Sequence, residues 1–118
     1  MKDKFYKAVN ITTGEVIADK VRIARDFKSR SIGLLNRTSL GDGEALLIRP
    51  CPSVHTLFMK FHIDVLFLSK EGKIVKIVHS LKPWRLSGCL LSCLMVLELP
   101  PGKIAKTTIK LGNSIEIG

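Results

Sequence analysis

Ser53-Val54-His55-Thr56-Leu57-Phe58-Met59-Lys60-Phe61-His62-Ile63-Asp64-Val65-Leu66-Phe67-Leu68-Ser69-Lys70-Glu71-Gly72-Lys73-Ile74-Val75-Lys76-Ile77-Val78-His79-Ser80-Leu81 decides how this chain is read. It holds the longest β-rich apolar run and all three histidines. It also holds Asp64, a carboxylate set between Ile63 and Val65. Val65 to Leu68 is apolar at every position, the pattern of a strand covered on both faces. Lys70-Glu71-Gly72 then separates it from a second β-rich run at 74–78. A short loop with glycine near its end fits a type I turn closed by a left-handed residue. The stretch therefore reads as an antiparallel hairpin. Its first arm begins near Thr56 and kinks near His62. With a three-residue loop, Asp64 falls opposite Val78 and His79 opposite Ile63, on different faces.

Working outward, residues 5–11 and 16–24 alternate around Thr12-Thr13-Gly14-Glu15 and predict an N-terminal hairpin. Asp26 is a helix N-cap before residues 27–37. On that helix Arg30, Gly33, Leu34 and Arg37 share a face, and Gly33 marks a close contact with another backbone. Residues 44–49 give a short buried strand, ended by Pro50-Cys51-Pro52. Lys82-Pro83-Trp84-Arg85-Leu86-Ser87-Gly88 is a loop with the chain's one tryptophan. Residues 93–99 form another buried strand, residues 102–109 a short helix weakened by two threonines, and residues 115–117 a last strand.

The length suits one domain, residues 1–118, with a single core. No run approaches the ~18 apolar residues of a membrane helix. The first residues, Met-Lys-Asp-Lys-Phe-Tyr-Lys, have no apolar core after them and do not form a signal peptide. The expectation is a cytoplasmic protein with no membrane partner. Three cysteines, Cys51, Cys89 and Cys93, are a poor disulfide framework and read as free thiols among apolar neighbours. Thiol titration of the unfolded chain without reductant is expected to find all three; stoichiometric zinc by elemental analysis would overturn that reading. Cys51, His55, Cys89 and Cys93 make a Cys3His zinc set only if their loops meet, and their spacing is wider than zinc knuckles use. No metal or cofactor is expected.

The formal net charge is +9. Such a charge attracts nucleic acid or anionic surfaces. The lysines, however, are scattered, without a dense tract. There is no glycine-rich phosphate loop and no Gly-x-Ser-x-Gly elbow.

Four motifs occur in order: Arg30-Ser31-Ile32-Gly33-Leu34-Leu35-Asn36-Arg37; residues 54–65, from Val54-His55 to Ile63-Asp64-Val65; Lys82-Pro83-Trp84-Arg85; and Leu97-Glu98-Leu99-Pro100-Pro101-Gly102. In these the chain resembles the bacterial and archaeal family called domain of unknown function 192. The resemblance spans nearly the whole chain. It implies a mainly-β fold, a compact antiparallel barrel or sandwich with one or two short helices. It brings no activity. Relatives often carry proline where this chain has His62, which favours a kink there over a shared catalytic group. The segment 87–93 is peculiar to this member.

The candidate site is a pocket near the central hairpin: His55, Met59, Lys60, Asp64, Trp84, Arg85, Arg30 and Arg37. An apolar wall with a few polar groups suits a small, anionic ligand or a partner. Asp64, next to a doubly buried run, needs a partner, either one of these cations or backbone amides near Pro83-Trp84. The alternatives are an enzyme using Asp64 and His55 for acid–base chemistry and a basic nucleic-acid-associated protein.

Overall fold

The computed structural model describes residues 4–24, 40–49, 53–55, 60–88 and 93–118, with side chains except at 53–55, 86–88 and 93–94. The helix expected over 27–37, with Arg30, Gly33 and Arg37, lies outside the described residues, as does Met59.

The strands follow the apolar pattern closely. β1 (Tyr6–Asn10) and β2 (Glu15–Ala24) form the N-terminal hairpin. β3 (Glu44–Ile48), β5 (Ile63–Ser69), β6 (Ile74–Leu81), β8 (Cys93–Leu99) and β9 (Ile115–Ile117) join them in a seven-stranded sheet. β4 (Ser53–His55) and β7 (Leu86–Gly88) pair separately. The order in the large sheet is β6-β5-β8-β3-β2-β1-β9. All its pairings are antiparallel except β2 with β3, which run parallel. The expected helix over 102–109 is a single 3-10 turn, Ile104–Lys106.

The sheet curls until its two edges meet at one corner. Lys73 bridges Ser114. Ile115 N–H donates to the Gly72 carbonyl at 2.8 Å, Ile74 N–H to Asn113 O at 2.9 Å, and Gly112 N–H to Ile74 O at 2.9 Å. The tip of the central hairpin thus docks on β9. Gly72, at φ +88°, takes the left-handed conformation that its place in the turn suggested. Its N–H closes the turn onto the Ser69 carbonyl at 2.9 Å. The mainly-β, barrel-like fold is the one the family resemblance implied.

Both faces of β5 are buried, as a continuous apolar strand requires. Leu66 and Leu68 join Leu47, Leu97, Leu99, Ile17, Ile74 and others in one core cluster. Ile63, Val65 and Phe67 join Leu46, Ile48 and Val96 in a second. Alternation along the strand puts Asp64 in phase with the first set and leaves it in an apolar layer.

The hairpin register differs from the expected one. Val65, not Asp64, faces Val78, and Leu81, not His79, faces Ile63. The cause is an irregularity between Ile63 and Val65, where β6 carries one extra residue opposite Asp64. Ser80 sits there at φ 49°, a left-handed serine that swings its N–H toward β5. A second irregularity lies between Phe67 and Leu68. The break expected near His62 is present, since residues 60–62 lead irregularly into β5; β4 belongs to the small sheet, and residues 56–59 lie outside the described residues.

Candidate functional site

Asp64 is fully buried. Its Oδ1 accepts the Ser80 N–H at 2.8 Å and its Oδ2 accepts the Ile104 N–H at 2.9 Å. Each oxygen therefore holds a different chain segment. Ser80 is the bulged residue of β6, whose N–H the irregularity takes out of the ladder. Ile104 opens the 3-10 turn, where an amide lacks an intrahelical acceptor. The buried carboxylate is satisfied by main chain, the general condition for a charge inside a core.

This joint fixes one end of the barrel. The turn begins where Lys103 N–H meets the Pro100 carbonyl at 3.1 Å, and it ends with the Thr107 hydroxyl donating to Ile104 O at 2.7 Å. Lys103 Nζ reaches Asp42 Oδ1 at 3.3 Å across the surface. Asp42, Pro100, Pro101, Lys103 and Lys106 line an open hollow of about 410 Å3. Residues 60–62 precede Ile63, and residues 82–85 follow its partner Leu81, so these two segments leave the sheet side by side. Lys60, Lys82 and Arg85 are exposed on them.

The eight candidate residues fare differently. Asp64 is central, but as a joint beneath the surface, with both oxygens occupied. Lys60, Trp84 and Arg85 lie at the same end and are exposed, Trp84 by 55%. His55 pairs through its backbone with Leu86, so β4 reaches the tryptophan loop; its side chain lies outside the described residues. Arg30, Arg37 and Met59 also lie outside them. His62 and His79 are both exposed, and neither appears among the hydrogen-bond partners of Asp64. Each Asp64 oxygen accepts one main-chain amide, and the His55 side chain, the other half of the acid–base pair, lies outside the described residues.

Glu98 was not among the candidates and is also fully buried. It faces Val65 on one side and Leu46 on the other, within the second core layer, and it too is engaged by a partner. Its signal was visible as a charge inside Leu94-Met95-Val96-Leu97-Glu98-Leu99. Lys103 and Lys106 were missed because their position depends on the turn that Asp64 holds. Among the described residues, no three or more of His, Cys, Asp and Glu gather where they could hold a metal ion. Cys51 and Cys89, and the side chains of His55 and Cys93, lie outside that comparison. Among the described residues, no helix is long and apolar enough to cross a membrane.

Over residues 8–117 the sequence matches the model of domain of unknown function 192, DUF192, described as an uncharacterized ACR. The chain belongs to the DUF192 family. Two DUF192 relatives from archaea show how far the likeness runs. The UPF0127 protein of Pyrococcus furiosus is 33% identical over 115 residues, covering 92% of this chain and 95% of that protein. The UPF0127 protein of Thermococcus sibiricus is 28% identical, covering 92% of this chain and 72% of that one. Two solved structures share the DUF192 chain's fold. A presumed transcription regulator from Sinorhizobium meliloti superposes with TM-score 0.80 at 21% identity, covering 95% of this chain and 91% of that one. A protein of unknown function from Novosphingobium aromaticivorans gives 0.79 at 24% identity, covering 94% and 82%.

Proposed function

We propose that this DUF192 protein is a binding protein for a small anionic ligand, received at the end of the barrel that Asp64 holds together. The observation that carries this reading is the gathering of cations on the segments meeting there. Lys60, Lys82, Arg85 and Lys106 are exposed, and Lys103 pairs with Asp42. Basic side chains around a recess raise the local concentration of anions and steer them inward. Ordering this end is the work of Asp64, whose oxygens hold the Ser80 amide, two residues before Lys82, and the Ile104 amide, next to Lys103. It acts as a positioning residue.

Titration calorimetry with inorganic pyrophosphate at low salt tests this. Saturable binding is expected. Lys82→Glu combined with Arg85→Glu is expected to weaken it by about tenfold or more, the scale of one charge-assisted contact. Lys110→Glu, in the turn next to the Lys73–Ser114 corner at the far end of β5, is expected to leave it unchanged. No saturable heat with the wild-type protein, or equal loss at Lys110, would sink the reading.

A second reading is favoured by the formal net charge of +9. One structural neighbour is a presumed transcription regulator, which suggests nucleic acid as a partner. Duplex DNA binding should then weaken steeply and log-linearly with salt. A flat response at low salt removes this reading and leaves the first intact.

A further inference from the structure

Among the described residues, two that are not glycine have positive φ: Ser80 at 49° and Trp84 at 63°. They bracket one loop. The Ser80 end is pinned by Asp64, and the other end enters β7, where Leu86 pairs with His55 and Ser87 with Val54. Ser80 has an evident reason for its conformation, since it delivers an N–H to a buried carboxylate. A bulky side chain rarely takes the left-handed region, and here the chain's one tryptophan takes it and stays 55% exposed. That backbone conformation costs stability. Conformations of that kind persist where the surroundings over-determine them, and they concentrate at ligand clamps.

Its neighbours indicate the ligand. Lys82 and Arg85 are exposed on either side, and the Arg85 guanidinium donates to the Trp84 carbonyl at 3.4 Å, which ties it to the same loop. A flat π surface flanked by cations matches a ligand with a planar aromatic part and an anionic part. An apolar peptide would have no use for the cations. A lipid surface would call for several exposed apolar side chains, and Trp84 is the one large exposed hydrophobic among residues 80–85.

We infer that the loop 80–85 binds a nucleoside phosphate, with Trp84 stacking on the base and Lys82 and Arg85 meeting the phosphate. This rests on the proposed anion-binding reading and adds the aromatic part of the ligand. The same chemistry is offered by a free nucleotide and by a nucleotide within a single strand.

Because the chain has one tryptophan, its fluorescence reports on this loop alone. AMP, adenosine, ribose 5-phosphate and a short oligo-dA are titrated against it. AMP is expected to quench saturably and to bind roughly tenfold or more tighter than either adenosine or ribose 5-phosphate, the scale of one base–aromatic stack. AMP binding as tight as one site of the oligomer assigns the free nucleotide; much tighter oligomer binding assigns the strand. Trp84→Gly, followed by equilibrium dialysis with labelled AMP, separates binding from folding. Glycine relieves the left-handed conformation, so the unfolding midpoint is expected to rise while AMP binding falls roughly tenfold or more. Trp84→Phe should keep most of the affinity. If ribose 5-phosphate binds as well as AMP, the aromatic inference falls while the anion site stands. If no anion binds, both fall. Unchanged AMP binding in Trp84→Gly, or a fluorescence change seen only with phosphatidylglycerol vesicles, also overturns the inference.

Discussion

Asp64→Ala is expected to lower the unfolding free energy by about 3–5 kcal/mol, read from urea denaturation. The side chain is fully buried and supplies the acceptor for two amides, so its removal strands two donors at once. The donors are not equivalent. Ile104 is buried, and its bond to Asp64 lies away from water; Ser80 is exposed, and its N–H can turn to solvent. Asp64→Asn should therefore be milder, about 1–2 kcal/mol, because its one oxygen can serve Ile104 while its NH2 displaces Ser80. The variants should also differ in what they loosen. Asn should raise hydrogen exchange in the loop 80–85 and spare the 3-10 turn, whereas Ala should raise it in both. Since the partners are main-chain amides, no second side-chain deletion can restore the balance, as it could if an arginine or lysine were the partner. An unchanged midpoint in Asp64→Ala would mean that the carboxylate does not hold these segments.

The second large effect is expected at the closing corner. A Cβ on Gly72 would land on the Ile115 carbonyl oxygen, and the backbone there is left-handed at φ +88°. Gly72→Ala must push β9 away from the hairpin tip as well as strain its own backbone, and is expected to cost about 3–5 kcal/mol. Gly14 gives the control. It has φ +82° and nothing within 4 Å of its would-be Cβ, so Gly14→Ala should cost only the conformational part, about 1–2 kcal/mol. Thermal melts of the pair would separate backbone preference from contact. Equal losses would show that the corner adds nothing to stability.

Much of this architecture could be read from residue order because it is written in short-range patterns. The unbroken apolar run at 65–68 announced a strand covered on both faces. Lys70-Glu71-Gly72 announced the turn, and the apolar strings gave β8 and β9 their bounds. What stayed hidden depends on groups without a sequence signature. The parallel pairing of β2 with β3 joins strands across a long connection, and alternation within either strand does not reveal its neighbour. The register slipped because Ser80 takes a left-handed conformation, a role for which glycine, asparagine or aspartate would have been the usual sign. For Asp64 the sequence allows a cation or backbone amides near Pro83-Trp84; the partners are amides, but those of Ser80 and Ile104, because every residue but proline carries one and the sequence does not mark which. Trp84 could be picked out by type. Its half-exposed state on left-handed backbone depends on the loop's two anchors, which residue type does not reveal.

The closing corner also bears on how the barrel is assembled during synthesis. β9 lies between β1 and the hairpin tip, contacting one as its sheet neighbour and the other through Gly72. The first of these strands to leave the ribosome thus waits for the last before the ring can shut. Until β9 emerges, β1 and the tip of β6 stand as open strand borders, able to pair with other chains. Non-local closure of this kind is slow relative to hairpin formation, so nascent chains of this protein should spend their longest interval with that gap unsealed, the interval in which a chaperone holding strand edges would matter most.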